Sequence, residues 1–186
     1  MYLTIGRRGV SCAPQGTIVG SSSLAMENLE LRDLTEADIH LINGWPPYRP
    51  EYAEMDRYLR EGGLPETFCR DPHTRAFVAV GQSDEIIGLS ALIEQQHGGV
   101  EFVVFIRDDC IGVGIGEKIS RLTLQQAFDV LGYENVHLVV RQHKSKARRL
   151  YEKLGFRIVE ERFLDREGQT IPFYSMVVCS DGWRSR

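Results

Sequence analysis

The sequence predicts an α/β fold, and two patterns in the middle of the chain carry this prediction. The run from Val100 to Ile106 is continuous in β-branched and aromatic residues from Phe102 onward, which is typical of a strand covered on both faces. Further along, apolar residues recur at the spacing of one helix face: Ile119, Leu122, Phe128 and Leu131. A buried strand followed by an amphipathic helix indicates a sheet with helices packed on it.

The rest of the chain continues this alternation of strand and helix signals. Strands are predicted at 29–32, 76–80, 86–93 and 136–141, with two last strands joined by a turn at 165–168. Helices are predicted from Thr35 to a break at Asn43, over 51–60, from the middle strand's glycine turn to about Leu131, and over 144–153. Neither a repeat nor a second domain is indicated.

Composition restricts the class of protein. With 186 residues, 42% hydrophobic residues and a net charge of -4, the chain has the size of one domain with a sizeable core. The mild acidity argues against nucleic-acid binding, and no apolar stretch reaches the ~20 residues of a membrane span. The cysteines form no C-x-x-C pair, so we expect reduced thiols in a cytoplasmic protein and no metal site: Cys12, Cys69, Cys110 and Cys179.

The first 26 residues have no hydrophobic periodicity and lack the apolar core of a signal peptide. We expect residues 1–26 to be a flexible leader or to follow an upstream start, with Met26 as an alternative beginning. Residues 27–180 are predicted to form the single domain, and residues 181–186 a short tail. Function should survive loss of the leader.

Three glycines lie at the turn between the middle strand and its helix: Gly112, Gly114 and Gly116. Glycine tolerates positive φ and lets a ligand approach the backbone, and a helix start presents unpaired N–H donors. The turn therefore suits a phosphate or pyrophosphate, although tight packing alone also explains a glycine-rich turn. Neither G-x-G-x-x-G nor a loop ending in Gly-Lys-Ser/Thr is present, which disfavours two common nucleotide-binding folds.

A second motif, A-R-R-L-Y-E-K-L-G-F, runs from Ala147 to Phe156, and its Gly155 suits the residue that ends a helix. In this order and at this spacing, the two motifs resemble the GNAT superfamily of N-acetyltransferases, most closely over residues 100–160. The resemblance implies a central mixed, mostly antiparallel sheet of about six or seven strands flanked by about four helices. It also implies acetyl-CoA as the acyl donor.

In this superfamily an amine attacks the thioester directly, and the resemblance assigns roles to particular residues. Tyr151 is the candidate acid for the departing thiolate, since a phenol of pKa near 10 is protonated at neutral pH. Main-chain N–H groups at a bulge in the fourth strand would stabilise the carbonyl oxygen, here within Val104, Phe105 and Ile106. Amides of the glycine turn would bind the coenzyme A pyrophosphate: Gly112, Val113, Gly114, Ile115, Gly116 and Glu117.

Two positions depart from the superfamily pattern. Ile111 replaces the Gln or Arg that opens the pyrophosphate loop, which does little damage because the loop binds through backbone amides. Lys144 replaces an Asn before the last helix, and we expect its ammonium to approach the cofactor phosphates as a point charge. These changes bear on affinity for coenzyme A more than on the fold.

The acceptor is predicted to be a primary amine of a small molecule, amino sugar, polyamine or protein. An alkylammonium of pKa ~10.4 costs about 4.6 kcal/mol to deprotonate at pH 7, so it favours a general base. Glu101, at the head of the fourth strand, is the candidate base and is alternatively a surface or structural carboxylate. Val139 stands where ribosomal-protein N-terminal acetylases carry a glutamate, which counts against that subfamily.

Three questions stay open at the level of sequence. The segment between the first two helices either holds a cation by ring faces and carboxylates or packs a loop: Trp45, Tyr48, Glu51, Tyr52 and Glu54. The protein is an N-acetyltransferase, a non-catalytic acyl-CoA-binding or sensing module of the same fold, or an unrelated α/β phosphate binder. Both a monomer and a homodimer are compatible with the sequence.

Overall fold

A computed structural model describes residues 29–96, 98–166 and 169–184, so the predicted leader lies outside the described residues. Seven strands are formed by Glu30–Asp33 (β1), Thr74–Val80 (β2), Ile86–Glu94 (β3), Val100–Ile106 (β4), Asn135–Arg141 (β5), Arg157–Arg166 (β6) and Gln169–Cys179 (β7). They make one sheet in the order β1-β2-β3-β4-β5-β7-β6. Neighbouring strands are antiparallel except β4 and β5, which are parallel. The predicted mixed, mostly antiparallel sheet is confirmed.

Six helices occur within the described ranges, which is more than the four expected. They are Glu36–Asn43 (α1), Glu54–Asp56 continued by Arg57–Glu61 (α2), Leu64–Arg70 (α3), Ile115–Gln125 continued by Gln126–Val130 (α4), Ser145–Lys153 (α5) and Ser180–Arg184 (α6). Neither α3 nor α6 was predicted from the sequence, and α6 occupies most of the predicted tail. None of these helices is long and apolar enough to cross a membrane.

The omission of α3 has a local cause. Gly63, at φ +55°, precedes the helix, and Pro65 lies in its first turn. Glycine and proline together suggest a break in the chain, yet a proline in the first turn removes only an N–H that a helix leaves unpaired. The helix is then stabilised by packing, because Phe68 is buried in the core beneath the sheet.

The two faces of the sheet are covered by different helices. Phe105 of β4 packs with Ile42 of α1 and Phe68 of α3 on one face. Phe102 of β4 packs with Phe128 of α4 on the other face. Both apolar clusters therefore meet at β4, which confirms that this central strand is covered on both sides.

Candidate active site

The strands β4 and β5 separate soon after they begin. Their ladder holds two pairs, Val100 with Val136 and Glu101 with His137, and beyond these the two fully described strands share no further pair. β4 remains paired with β3 along its whole length. A gap therefore opens between β4 and β5 toward their carboxyl ends, and one edge of the β4 backbone faces it.

The ladder geometry identifies which β4 groups face this gap. The Arg107 N–H donates to the Ile87 carbonyl over 3.0 Å, and bonded and non-bonded pairs alternate along an antiparallel ladder. The N–H of Phe105 therefore points to β3, whereas those of Val104 and Ile106 point to the gap. The predicted bulge is absent, because the β3–β4 register runs along all of β4 without a shift. Two of the three candidate donors are thus brought to the gap by the regular alternation of the strand.

The glycine turn presents unpaired amides at the start of α4. Gly112 has φ +93° and Gly114 has φ +89°, and Gly114 is the N-cap of the helix. The Gly114 carbonyl accepts the Glu117 amide over 3.1 Å, so Glu117 is not available as a donor. Within the described chain, the amides of residues 112–116 donate to no backbone carbonyl. Five amides at a positive helix end remain to bind an anion.

Gly116 brings this turn close to the gap. A Cβ built on Gly116 would lie 3.7 Å from Ile106 Cγ1 of β4 and 3.9 Å from Leu150 Cδ2 of α5. The neighbouring Glu117 carboxylate pairs with Lys153 Nζ over 2.7 Å, and this contact lowers the pKa of Glu117. The carboxylate next to the anion site is therefore ionised and matched by a cation of α5.

Tyr151 is a half-buried residue of α5, on the face of the sheet that α4 covers. Its ring meets Phe102 of β4 edge-on at 6.5 Å between centroids and Phe156 at 5.7 Å. Its hydroxyl makes no hydrogen bond with a described residue. Burial raises the pKa of Tyr151 to about 12. The phenol is therefore protonated at any physiological pH and has its donor available for a ligand.

Glu101 lies at the closed end of the gap, where β4 still pairs with β5. The side chain is partly buried, and Gln95 Nε2 donates to Glu101 Oε2 over 3.4 Å. By the alternation of the strand, Glu101 lies on the same sheet face as Phe105, which is the face that α1 to α3 cover. Glu101 and Tyr151 thus approach the gap from opposite faces.

Two aromatic residues of the α1–α2 segment, Trp45 and Tyr48, serve packing. Trp45 and Tyr48 are each only 7% exposed. Trp45 Nε1 donates to the Ile86 carbonyl over 3.1 Å, and the Tyr48 hydroxyl donates to the Ile106 carbonyl over 2.7 Å. Of the two interpretations left open by the sequence, loop packing is correct for these two rings.

Contacts between this segment and the ends of the strands were not predicted. Besides the bond from Tyr48 to Ile106, Arg49 Nε lies 3.0 Å from Asp108 Oδ2, just after β4. Residues 48 and 106 are 58 positions apart, and no local pattern in either stretch marks the contact. Tyr48 and Arg49 thereby hold this segment against the carboxyl end of β4.

Lys144 is directed to this same segment. The residue precedes α5, and its Nζ lies 2.7 Å from the Glu51 carbonyl oxygen and 2.9 Å from Glu54 Oε1. The ammonium also lies 5.0 Å from the centroid of the Tyr52 ring. In this structure the ammonium is therefore held by the α1–α2 segment, and its expected approach to cofactor phosphates stays a prediction.

Cys110, close to the glycine turn, is a poor nucleophile. Burial raises the pKa of its thiol to about 11, so the thiol is protonated at neutral pH. Among the residues the structure describes, His, Cys, Asp and Glu side chains form no group of three able to hold a metal ion.

Comparison with known proteins agrees with this architecture. Residues 16–156 match the acetyltransferase (GNAT) family. Over 141 residues, 72% of this chain and 75% of the relative, the sequence is 29% identical to spermidine N(1)-acetyltransferase of Escherichia coli K12. The chain belongs to the GNAT family of acetyltransferases. It is an acetyl-CoA-dependent N-acetyltransferase that acts on an amine.

Solved structures of spermidine N-acetyltransferases share the fold of this chain. Mutant forms of the spermidine/spermine N-acetyltransferase SpeG from Vibrio cholerae superimpose with a TM-score of 0.70 at 25% identity, covering 86% of this chain and 99% of theirs. The Vibrio cholerae spermidine N-acetyltransferase in complex with CoA and spermine shares the fold, with a TM-score of 0.66 at 22% identity over 84% of this chain and 98% of that one.

Proposed function

We propose that this enzyme acetylates a primary alkylamine, with a polyamine as the acceptor class. The similarity to the Escherichia coli spermidine N(1)-acetyltransferase supports this class. The observation that carries the catalytic part is the gap between β4 and β5, which unpaired amides, the glycine turn and Tyr151 all border. The catalytic unit would be the domain of residues 27–180.

The glycine turn is suited to the pyrophosphate of coenzyme A. The amides of residues 112–116 and the positive end of α4 attract an anion, and the left-handed glycines expose the backbone to it. Ile111 does not interfere, because these donors belong to the main chain. We assign the pyrophosphate to this turn without Glu117, whose amide is already bonded.

The acetyl carbonyl would receive a hydrogen bond from the edge of β4. The N–H groups of Val104 and Ile106 face the gap and are held by a continuous ladder to β3, so they need no reorganisation when negative charge builds on oxygen. One of these two amides would bind the carbonyl oxygen. Substitutions other than proline at either position would leave the donor in place.

Tyr151 would act on the sulfur by donating a hydrogen bond. Burial raises the pKa of Tyr151 to about 12, so the phenol is protonated at neutral pH and can donate to the sulfur. This hydrogen bond would strengthen as negative charge develops on the sulfur. The attacking amine loses one proton and the departing thiolate takes up one, so an amine and a thioester give an amide and a free thiol.

The amine must be neutral to attack, and Glu101 is the candidate base. For an alkylamine of pKa ~10.4 the cost at pH 7 is about 4.6 kcal/mol, against about 1 kcal/mol for an α-amine near 7.7. Glu101 can accept the proton directly or through water from the face that α1 to α3 cover. Glu101 and Val104, one of the two proposed carbonyl donors, lie three positions apart on the same strand, β4.

A panel of amines tests this proposal. Purified protein is incubated with acetyl-CoA and a polyamine, a monoamine, an amino sugar or an N-terminal peptide, and the released thiol is measured. Turnover that is highest with polyamines supports the proposal. Preference for the peptide or amino sugar overturns the acceptor class while leaving the cofactor site intact.

A further inference from the structure

The ammonium of Lys144 is surrounded as a bound alkylamine would be. Its three neighbours are a carboxylate (Glu54), a main-chain carbonyl (Glu51) and an aromatic ring face (Tyr52). These are the groups that recognise alkylammonium ions, by charge, by hydrogen bonding and by cation–π attraction. The Lys144 and Glu54 side chains are only 21% and 20% exposed, so the contact is partly shielded from water. We call Glu54, the Glu51 carbonyl and Tyr52 the ammonium cage.

The cage lies at the open end of the gap between β4 and β5. On one side, residues just before it are fixed to the end of β4 by Tyr48, which bonds to Ile106. On the other side, Arg141 at the end of β5 lies 3.6 Å from Glu54. Lys144, at the start of α5, and Tyr151 are seven positions apart, roughly 10 Å at the rise of a helix. The cage is therefore separated from the reacting centre by a distance that a second amine on a long acceptor can span.

We propose that the ammonium cage binds a distal ammonium of a diamine or polyamine acceptor, and that Lys144 is a resident occupant which this ammonium displaces. The inference rests on the proposed amine acceptor and specifies how a polyamine is distinguished from a monoamine. Lys144 carries the same alkylammonium group as the ligand, so the exchange replaces like with like. Arg141 remains beside Glu54 throughout, which limits the affinity of the cage.

If a bound ammonium displaces Lys144, two substitutions of Lys144 should change the ratio of KM for spermidine to KM for butylamine in opposite directions. Lys144→Ala empties the cage and should lower KM for spermidine about tenfold relative to KM for butylamine. Lys144→Arg supplies a planar guanidinium that holds a carboxylate through two hydrogen bonds, and should raise the same ratio. Glu54→Gln removes the charge of the cage and should raise the ratio about tenfold. The ratio is the readout because a general loss of activity cancels from it.

Matched controls are available on the same elements. Lys146→Ala removes an exposed lysine two residues along α5, and Glu61→Gln removes an exposed carboxylate at the end of α2, and neither should change the ratio. Acetyl-CoA affinity, measured by calorimetry, should be unchanged in Lys144→Ala. A fall in that affinity would assign Lys144 to the phosphates instead and overturn the proposal.

The outcomes separate this proposal from the function on which it rests. If no amine is acetylated, the proposed function fails. If spermidine and butylamine are both acetylated and their KM ratio is the same in wild type, Lys144→Ala and Lys144→Arg, the cage proposal alone fails. A change confined to thermal stability would make the Lys144–Glu54 pair a structural clasp, which also refutes it.

Discussion

The phenol of Tyr48 donates a 2.7 Å hydrogen bond to the carbonyl oxygen of Ile106, the last residue of β4. This bond joins the α1–α2 segment to the edge of the strand that borders the gap. Burial raises the pKa of Tyr48, so the phenol is always a donor. The positions of the α1–α2 segment and of β4 are therefore coupled through this contact.

Tyr48→Phe should lower the free energy of unfolding by about 1 kcal/mol, because one buried hydrogen bond is lost and a carbonyl loses its partner. KM for the acceptor should rise more than KM for acetyl-CoA, since the segment that this bond anchors carries the proposed ammonium cage. Urea unfolding and steady-state kinetics measure both effects. Tyr133→Phe, which removes a bond to the exposed Glu94, is the control and should leave KM unchanged.

Gly116→Ala should weaken acetyl-CoA binding at least tenfold while the protein stays folded. The new Cβ meets its protein neighbours at ordinary contact distances, and alanine favours a helix more than glycine does. Any loss of affinity therefore reports crowding of the ligand. Calorimetry with acetyl-CoA is the measurement, and Gly182→Ala in α6 is the control. Unchanged affinity would remove the pyrophosphate from this turn.

Tyr151→Phe should reduce kcat by roughly 10²-fold with little change in acetyl-CoA affinity, because the hydroxyl is needed when the sulfur departs. The pKa of about 12 keeps the phenol in its donor form below that pH. The kcat profile of the wild-type enzyme should therefore lack a falling limb from Tyr151 up to about pH 10. A limb near pH 9 that disappears in Tyr151→Phe would contradict this assignment, and normal turnover of the variant would make the ring a packing residue.

Glu101→Gln should depress kcat/KM most near neutral pH and progressively less as the pH approaches the pKa of the amine. At high pH solvent already supplies the free amine, so the base is no longer needed. The pH profiles of wild type and variant with an alkylamine give the comparison. A defect of equal size at every pH would leave Glu101 as a positioning or structural carboxylate.

Asp38 should make the stability of the protein depend on acid pH. The side chain accepts two hydrogen bonds from Arg32 and further bonds from Thr35, and the Arg32 contact is the main cause that lowers the pKa of Asp38 to about 2. A lowered pKa stabilises the fold above the unfolded value, near pH 4, and this contribution is lost as the pH falls toward 2. The amount is about 2 kcal/mol.

Urea unfolding between pH 2 and 6 measures this effect. Asp38→Asn should remove this part of the pH dependence, whereas Asp33→Asn, at an exposed position, should leave it unchanged. A wild-type stability that is flat between pH 2 and 4 would contradict the assignment.

Local patterns predicted the elements around the gap well. The continuous apolar run at β4, the glycine turn and the Gly155 end of α5 each depend on neighbours in the chain. Long-range contacts left no such signal: Lys144 bonds to Glu51 across 93 positions, and its interpretation as a phosphate ligand came from its place in a motif. The absence of the expected bulge in β4 could not be predicted from local sequence either, because the register of a ladder depends on two strands.

The gap between β4 and β5 lies at the one parallel junction of the seven described strands. Its proposed catalytic donor is a main-chain N–H left unpaired where the two strands separate, so substitutions other than proline cannot delete it. Substitutions at Val104 and Ile106 would change the packing around the gap, where both side chains contact the core, and would leave the main-chain donor in place. The catalytic donor would be inherited with the register of the sheet, and alignments of residue types would give no sign of it.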